Sequence, residues 1–490
     1  MNAVETALWR AFEVFRDTSF SGATVRNGLT AIVILKYVSD SVRDESAAAR
    51  KRFVVPEGAS LYHLSNQHEE QSIADQLDTA LRAIEQANPE TLGGLFDEVH
   101  FKSWIRNAHD ERSLRAVVDL FRDERMDLGP SRMNSEALAG SFALLLSLHP
   151  FSSPSHLGSL YTPRQISRLM TEIMAPRPGD SVYDPVCGSA GLLLESARYI
   201  REHHHSDNYA LYGQEADRSA WKVARINALF HGEDCARIEL GDTLRNPRFH
   251  QGDELQRFQV VVSNPPFSLS EWGWETAESD RFNRFGPDIP PKSRGDYAFI
   301  LHSIASTAKP DGRVAIVAPQ GVLFRGGSEA AIRRNLIERN LLDAVIGLPP
   351  KIFYNSAISA VILVFRHLRA DDAILFIDAS QKFEAGRKYN SFRDADIDKL
   401  VSIYRQRSAE QGYSRLVLPG EIRANEFNLN ISRYVSQSQP QPVIDMSELA
   451  NEARVLGAEL ETLRHQIDAT LQKLLPADTG TSRAPERSSS

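Results

Sequence analysis

The sequence predicts an α/β protein: a mostly parallel sheet, preceded by an all-helical N-terminal domain and followed by a C-terminal coiled-coil helix. Three observations predict it. Beyond "HPFSSPSHLGSLYTP" short β-rich runs alternate with helical stretches, the pattern of a parallel sheet covered on both faces. Before that stretch, apolar residues recur every three or four positions with no strand-like alternation. Near the C-terminus a leucine seam repeats four and three apart.

Composition sets the outer limits. With 490 residues, 42% hydrophobic and 24% charged, the chain is too long for one compact core, and two or three domains are expected. No apolar run approaches the roughly 20 residues that span a bilayer. The opening "MNAVETALWRAF" carries acidic and polar residues where a signal peptide needs an apolar core, so a cytoplasmic protein without membrane contact is expected. The two cysteines, Cys187 and Cys235, form no CxxC pair, which argues against a disulfide scaffold or structural zinc. A formal net charge of -8 means that contact with nucleic-acid phosphates must be local or supplied by a partner.

In chain order, residues 1–150 form the helical domain. "ALWRAFEVFRD", "NGLTAIVILKYVSDSVRD" and "SLRAVVDLFRDER" are its clearest helices, with "FVVPEGASLYHLSNQHEEQ" as an irregular connection. Residues 151–385 form the sheet domain. Its strand candidates are "SVYDP", "NYALYGQEA", "ARIELGD", "FQVVVSN", "GRVAIVAP", "LLDAVIGLP", "SAVILVFRH" and "AILFIDAS". The last two lie close together without a helix between them, so an antiparallel pair is expected there. Residues 386–436 read as a helical and irregular extension. Residues 437–476 read as a linker, "QSQPQP", and a helix whose seam runs through Leu449, Ala453, Leu456, Leu460, Leu463, Ile467, Thr470 and Leu474, about four heptads that imply a partner helix. A helix packed on its own domain would carry a stripe of similar width. The tail, 477–490, has too little apolar surface to fold.

Ligands of an open parallel sheet bind beyond the C-terminal ends of its strands, so polar residues there carry the functional argument. "YDPVCGSAG" ends the first strand at Asp184 and places Gly188 and Gly191 before a helix, letting backbone N–H groups approach a ligand. Glu215 ends the second strand, where a carboxylate can accept from a ribose diol, and Asp242 ends the third, where it can accept from an adenine amine or merely cap the next turn. Upstream, Thr162 suits an N-cap and Pro163 the first helical position, just before the sheet. At the fourth strand, Asn264, Pro265, Pro266 and Phe267 cannot continue a ladder, because neither proline donates a hydrogen bond. A double proline can simply stop a strand. It can also fix two acceptors, the Asn264 side-chain oxygen and the Pro265 carbonyl, beside the Phe267 ring, and those parts suit a planar substrate bearing an amine. The consecutive histidines of "EHHHS" point in three directions on a helix and are expected to be a solvated helix end, with no metal. Cys187, inside the glycine loop, reads as a small buried residue.

Taken together, "NPPF", "DPVCGSAG" and a preceding "YTP" resemble the amino methyltransferases, in the order of the γ group of DNA adenine-N6 enzymes. With "AIVILKYVSD", "SLYTPRQI", "SRGDYAFI", "KIFYNSAISAVILVF" and "EIRANEFNLNISRYV", the chain resembles the modification subunit of type I restriction-modification systems to about Leu475. That resemblance implies a Rossmann-like methyltransferase sheet and S-adenosylmethionine as cofactor. It implies that Tyr161, Thr162, Pro163 and Arg164 cover the methionine end and that Asp184, Gly188, Ser189, Ala190 and Gly191 surround it. Glu215 would hold the ribose, Asp242 the adenine ring, and Asn264 to Phe267 a flipped adenine of double-stranded DNA. Ala190 stands where the family commonly has glycine, but Gly191 follows directly, so at most an altered cofactor affinity is expected from its methyl group. Only about sixty residues separate the sheet from the linker, too few to read several base pairs in the grooves. Choice of the DNA site is therefore expected to reside in another chain, which the resemblance implies is a specificity subunit shared by two methyltransferase subunits, with a restriction nuclease as a further partner. "NPP" plus an aromatic also occurs in methyltransferases of protein glutamine or RNA amines, which is the alternative.

Overall fold

The computed structural model describes residues 3–44, 52–64, 72–147, 161–353, 358–387, 389–435 and 446–474. Most of the "HPFSSPSHLGSLYTP" stretch, the "QSQPQP" linker and the tail lie outside them. Two compact units result, Met1–Val435 and Ser436–Ser490.

In the first unit the helices come first. Helix Gly22–Arg43 begins where Ser21 accepts from the Thr24 N–H at 3.2 Å, and its buried positions run almost all the way round. That burial includes a charge. Lys36 is fully buried and donates to Asp40 at 3.1 Å, while Tyr62 Oη and the Leu128 N–H also donate to Asp40. Helices Ala3–Phe15, Ile73–Ala87, Ala108–Phe121 and Ser135–Ser147 complete the layer. It packs on helix Arg218–Phe230 of the sheet region: Phe230 meets the rings of Tyr37 and Phe142 edge to face, at 5.4 and 5.5 Å.

The eight apolar runs all form strands of one sheet: β1 (Ser181–Asp184), β2 (Ala210–Glu215), β3 (Arg237–Leu240), then β6 (Val260–Ser263), β7 (Arg313–Pro319), β8 (Leu342–Gly347), β9 (Ala360–Arg366) and β10 (Ile374–Asp378). Between β3 and β6 comes a two-residue hairpin, β4 (His250–Gln251) and β5 (Glu254–Leu255). A ninth sheet strand, β11 (Ser414–Val417), comes from the stretch expected to be helical and irregular. The order is β11-β10-β8-β9-β7-β6-β1-β2-β3. Neighbours are parallel except that β9 runs against β7 and β8, and β11 against β10. The expected pairing of β9 with β10 is therefore corrected. β9 turns back into the gap between β7 and β8, and the chain then crosses β8 to lay β10 on its far side.

Alternation along each strand fills two apolar layers. Val260 and Val262 face helices Arg164–Met174, Gly191–His204 and Asp394–Gln406, while Val261 faces helix Asp296–Ala305. Central strands are buried on both faces, which is why they read as unbroken apolar runs rather than alternating ones.

The described residues of the second unit form one helix, Met446–Leu474, of 29 residues. Leu449, Leu456, Leu460, Leu463, Ile467 and Leu471 are 49 to 57% exposed along it. Among the described residues, no helix is long and apolar enough to cross a membrane.

Candidate active site

The parallel register brings the strand ends together. Asp184 pairs with Gly213 of β2, and Glu215 pairs with Leu240 of β3, so Glu215 and Asp242 each lie two residues beyond their neighbour's level. On the other side Tyr183 is level with Val261. Asn264 therefore stands one strand over from Asp184 and two residues further out, roughly 8 Å between Cα atoms from ideal strand spacing and rise. The glycine turn and the proline corner therefore follow neighbouring parallel strands at the same edge of the sheet.

The glycine turn is tight. Gly188 has φ 52° and Ala190 φ 66°, both left-handed, and the turn closes through Ala190 N–H to the Cys187 carbonyl at 2.7 Å. A left-handed alanine costs about 1–2 kcal/mol where glycine would cost little. The Ala190 methyl is 1% exposed and packs into the apolar layer under the turn. Gly191, by contrast, has only Ser189 Oγ near a would-be side chain, at 3.9 Å, so its backbone is open to a ligand. Cys187 is buried, with Sγ against Gly213 of β2, and burial pushes its thiol up, the opposite of an activated nucleophile.

The three acids differ in state. Asp184 is 1% exposed and accepts from the Val186 N–H, at 3.0 Å. Burial, with the charge of Glu215 adding to it and the Val186 bond opposing, pushes its carboxyl up to about 8. Glu215 is also raised by burial, although it accepts from the N–H groups of Asp217 and Gly188, each at 2.9 Å. Asp242 accepts from the N–H groups of Leu244 and Arg245 through Oδ1, at 2.8 and 3.1 Å, so the turn-capping reading holds for that oxygen. Oδ2 faces the exposed Arg245, 4.0 Å away.

At the proline corner Asn264 Nδ2 donates to Thr162 Oγ1 at 3.1 Å. This turns the amide oxygen away from Thr162. Thr162 is thus not the helix cap: Pro163 takes the N-cap position of helix Arg164–Met174 and has no side chain that can accept, while the Thr162 hydroxyl accepts from Asn264. Within the corner Pro265 is buried, Pro266 is exposed, and Phe267 is half-buried against the ring of Phe353, 5.9 Å away edge to face. The next residue, Ser268, is left-handed and gives its N–H to Asp296 Oδ1 at 2.7 Å. Arg325 holds the other Asp296 oxygen at 2.8 Å. Tyr161 packs on the helical layer, where burial pushes its phenol up to about 12, and Arg164 reaches Glu136 there at 3.7 Å.

Sequence reasoning missed Phe353, Asp296, Arg325 and Gln214. Phe353 and Asp296 lay inside quoted motifs, but only contact through space shows what they touch. Gln214, fully buried, donates to the Gly241 and Asn246 carbonyls at 3.0 Å each and accepts from the Arg248 N–H, tying down the loop that carries Asp242. His203 stacks on Tyr199 at 4.0 Å, as a helix-end residue would.

The sequence model of N-6 DNA methylases matches residues 136–442, and that of the HsdM N-terminal domain matches residues 4–121. The chain belongs to the N-6 DNA methylase family. Its place is among the methyltransferase subunits of type I restriction-modification systems, adenine-specific DNA methyltransferases whose methyl donor is S-adenosylmethionine. A type I restriction enzyme methylase subunit of Methanocaldococcus jannaschii is 30% identical over 71% of this chain and 61% of its own length. One from Mycoplasma pneumoniae is 28% identical over 89% of this chain and 84% of its own. The crystal structure of a type I methyltransferase subunit from Streptococcus thermophilus superposes with a TM-score of 0.74 at 27% identity, covering 89% of this chain and 99% of that one. These matches do not favour a methyltransferase of protein glutamine or RNA amines. Type I methyltransferase subunits work in complexes with specificity subunits and DNA.

Proposed function

We propose that Asn264 Oδ1 and the Pro265 carbonyl accept the two hydrogens of the N6 amine of an adenine flipped out of double-stranded DNA. The observation that carries this reading is the Asn264–Thr162 bond, which leaves the amide oxygen as the acceptor on the crevice side. The adenine amine is a poor nucleophile because its lone pair is delocalised into the ring. Two fixed acceptors favour a pyramidal nitrogen and stabilise the positive charge that grows on it. Each such bond contributes about 0.5–1.5 kcal/mol in a ground state, and more where charge develops between prearranged groups. Flipping costs a few kcal/mol, and stacking on Phe267, at about 1–3 kcal/mol per base, offsets part of it. Phe353 holds the Phe267 ring from the side, and Asp296 pins the backbone that follows.

The residues at the strand ends fit the cofactor. Asp184 and the turn Gly188–Gly191 would receive its methionine end under Tyr161–Arg164, Glu215 its ribose and Asp242 its adenine. S-adenosylmethionine supplies a methyl group on a good leaving group, so alignment carries much of the acceleration. Thr162 belongs to this machinery through Asn264. Thr162→Val is expected to lower kcat by about tenfold, the loss of one orienting hydrogen bond, with Thr162→Ser restoring it. Equal rates for the two variants in a methyl-transfer assay would remove Thr162 from the role.

Choice of DNA site is proposed to lie in the specificity subunit, one for two copies of this chain, with a nuclease subunit joining in the cytoplasm. The exposed seam of Met446–Leu474 supports a coiled-coil contact with that subunit. Deleting residues 440–475 should abolish co-purification with it and leave cofactor affinity unchanged. Retained assembly refutes the docking role. Methyl transfer from radiolabelled S-adenosylmethionine to DNA, with and without the specificity subunit, tests the whole reading: label on adenine N6 only with both proteins is the expected result.

A further inference from the structure

The segment between Phe267 and helix Asp296–Ala305 packs into the apolar layer on the Val261 face of the sheet, where Trp272 is 1% exposed and meets Phe285 edge to face at 5.5 Å. From this segment one arginine reaches back to the cofactor side of the crevice. Arg284, 8% exposed, donates through Nη1 to the Thr243 carbonyl at 3.0 Å and through Nη2 to the Leu244 carbonyl at 2.6 Å. These are the two residues after Asp242. Its remaining donors are used as well. Nη1 also donates to His302 Nδ1 at 3.2 Å, and Nε and Nη2 grip Asp280, the closest approach being 2.8 Å. His302 in turn presents Nε2 to Thr243 Oγ1 at 3.2 Å and to Tyr183 Oη at 3.4 Å, next to Asp184.

We propose that Arg284 is the positioning residue for the adenine end of the cofactor, holding the Asp242 turn through its two carbonyls and binding it to the segment that follows the target-base corner. The proposal deepens the reading above and rests on Asp242 accepting from the cofactor's adenine. Asp242 Oδ1 is taken by the N–H groups of the same turn, so Oδ2, with the exposed Arg245 Nε 4.0 Å away, is the oxygen assigned to a ligand, and its direction is set by the turn. A planar guanidinium with five donors can hold two carbonyls, an imidazole and a carboxylate at once. A lysine ammonium, a single point with three donors, cannot span them. Arg245 reinforces the link from the other side, donating to the Glu271 carbonyl at 3.0 Å, with Gly273 packed so closely on it that a side chain there would meet Arg245 Cγ at 2.8 Å.

The test uses the full chain assembled with its specificity subunit. Arg284→Lys is expected to raise KM for S-adenosylmethionine by about tenfold, with kcat at saturating cofactor and KM for DNA within about twofold of wild type, since several hydrogen bonds to the turn are lost and none to the reacting atoms. Arg369→Lys is the comparison. Arg369 is a buried fork on Asp343 and the Ala373 carbonyl, away from the crevice, and its replacement should lower Tm without moving KM. An Arg284→Lys enzyme with unchanged KM, or with KM shifted no more than in Arg369→Lys, overturns the proposal. Should Arg284→Lys fail to fold, Asp280→Asn keeps the arginine but loosens it, and a rise of about threefold in the same KM is expected. No rise overturns it equally. Asp242→Asn separates the two claims: if that variant leaves KM for the cofactor untouched, the assignment of Asp242 falls, whereas a large effect there beside none at Arg284 removes Arg284 alone.

Discussion

Asn264→Ala is expected to lower kcat for methyl transfer by about 10²–10³-fold, the loss typical of one prearranged group opposite developing charge, and to leave S-adenosylmethionine affinity near wild type. The asymmetry follows from position. Asn264 directly follows the end of β6, one strand away from Asp184, and its side chain is bonded to Thr162. Removing the side chain leaves the strand-end acids and the glycine turn in place. DNA affinity is expected to fall by no more than about tenfold, because the one hydrogen bond lost to the flipped amine contributes only about 0.5–1.5 kcal/mol in the ground state. Asn264→Asp is the sharper variant. It keeps an acceptor oxygen but puts a carboxylate beside the Thr162 hydroxyl, so it should retain more activity than alanine. Single-turnover rates with cofactor in excess isolate the step. Comparable turnover in the alanine variant would end the assignment of Asn264, whatever the affinities show.

How much of this was legible beforehand depended on the range of the interaction concerned. Strands buried on both faces, such as "VAIVAP" and "AVIG", declare themselves as apolar runs, since every side chain in them meets a core. β11 did not, because it is four residues long at the sheet edge and includes the exposed Arg415. Strand order was illegible too. The short connection after β9 suggested a hairpin with β10, yet β8 lies between them, and nothing in either run encodes a neighbour. In the site, the acids could be found by rule, since ligands of such sheets bind at carboxyl ends. Thr162 was misread because a threonine before a proline satisfies the local rule for a helix start, whereas its actual partner, Asn264, lies far along the chain. Arg284 and Asp296 were missed for the same reason. They act on backbone groups of distant loops, and a backbone carbonyl leaves no mark in a sequence.

Asp184 carries the second large effect, and its sign can be worked out. In the free protein burial holds its carboxyl at about 8, so it is mostly protonated at neutral pH. On the proposed assignment of Asp184 to the methionine end, the cofactor's ammonium would favour the charged form and lower that value. The bound state then holds fewer protons than the free state at pH 7, so binding releases a proton and affinity rises with pH until about 8, levelling above it. Calorimetry at pH 7 in buffers of different ionisation enthalpy should register that release, and Asp184→Asn should lose it together with about tenfold or more in affinity, as expected when a buried charge pair loses one partner. Stability of the cofactor-free protein runs the other way. The folded carboxyl titrates above the unfolded value of 3.8, so the folded state binds the extra proton between the two. Its contribution is complete below about pH 4 and is lost as pH rises towards 8. The Tm of wild type relative to Asp184→Asn should accordingly fall between pH 6 and pH 9. If the two melting curves stay parallel across that range, the buried acid is not titrating where its surroundings place it, and the proton-release argument goes with it.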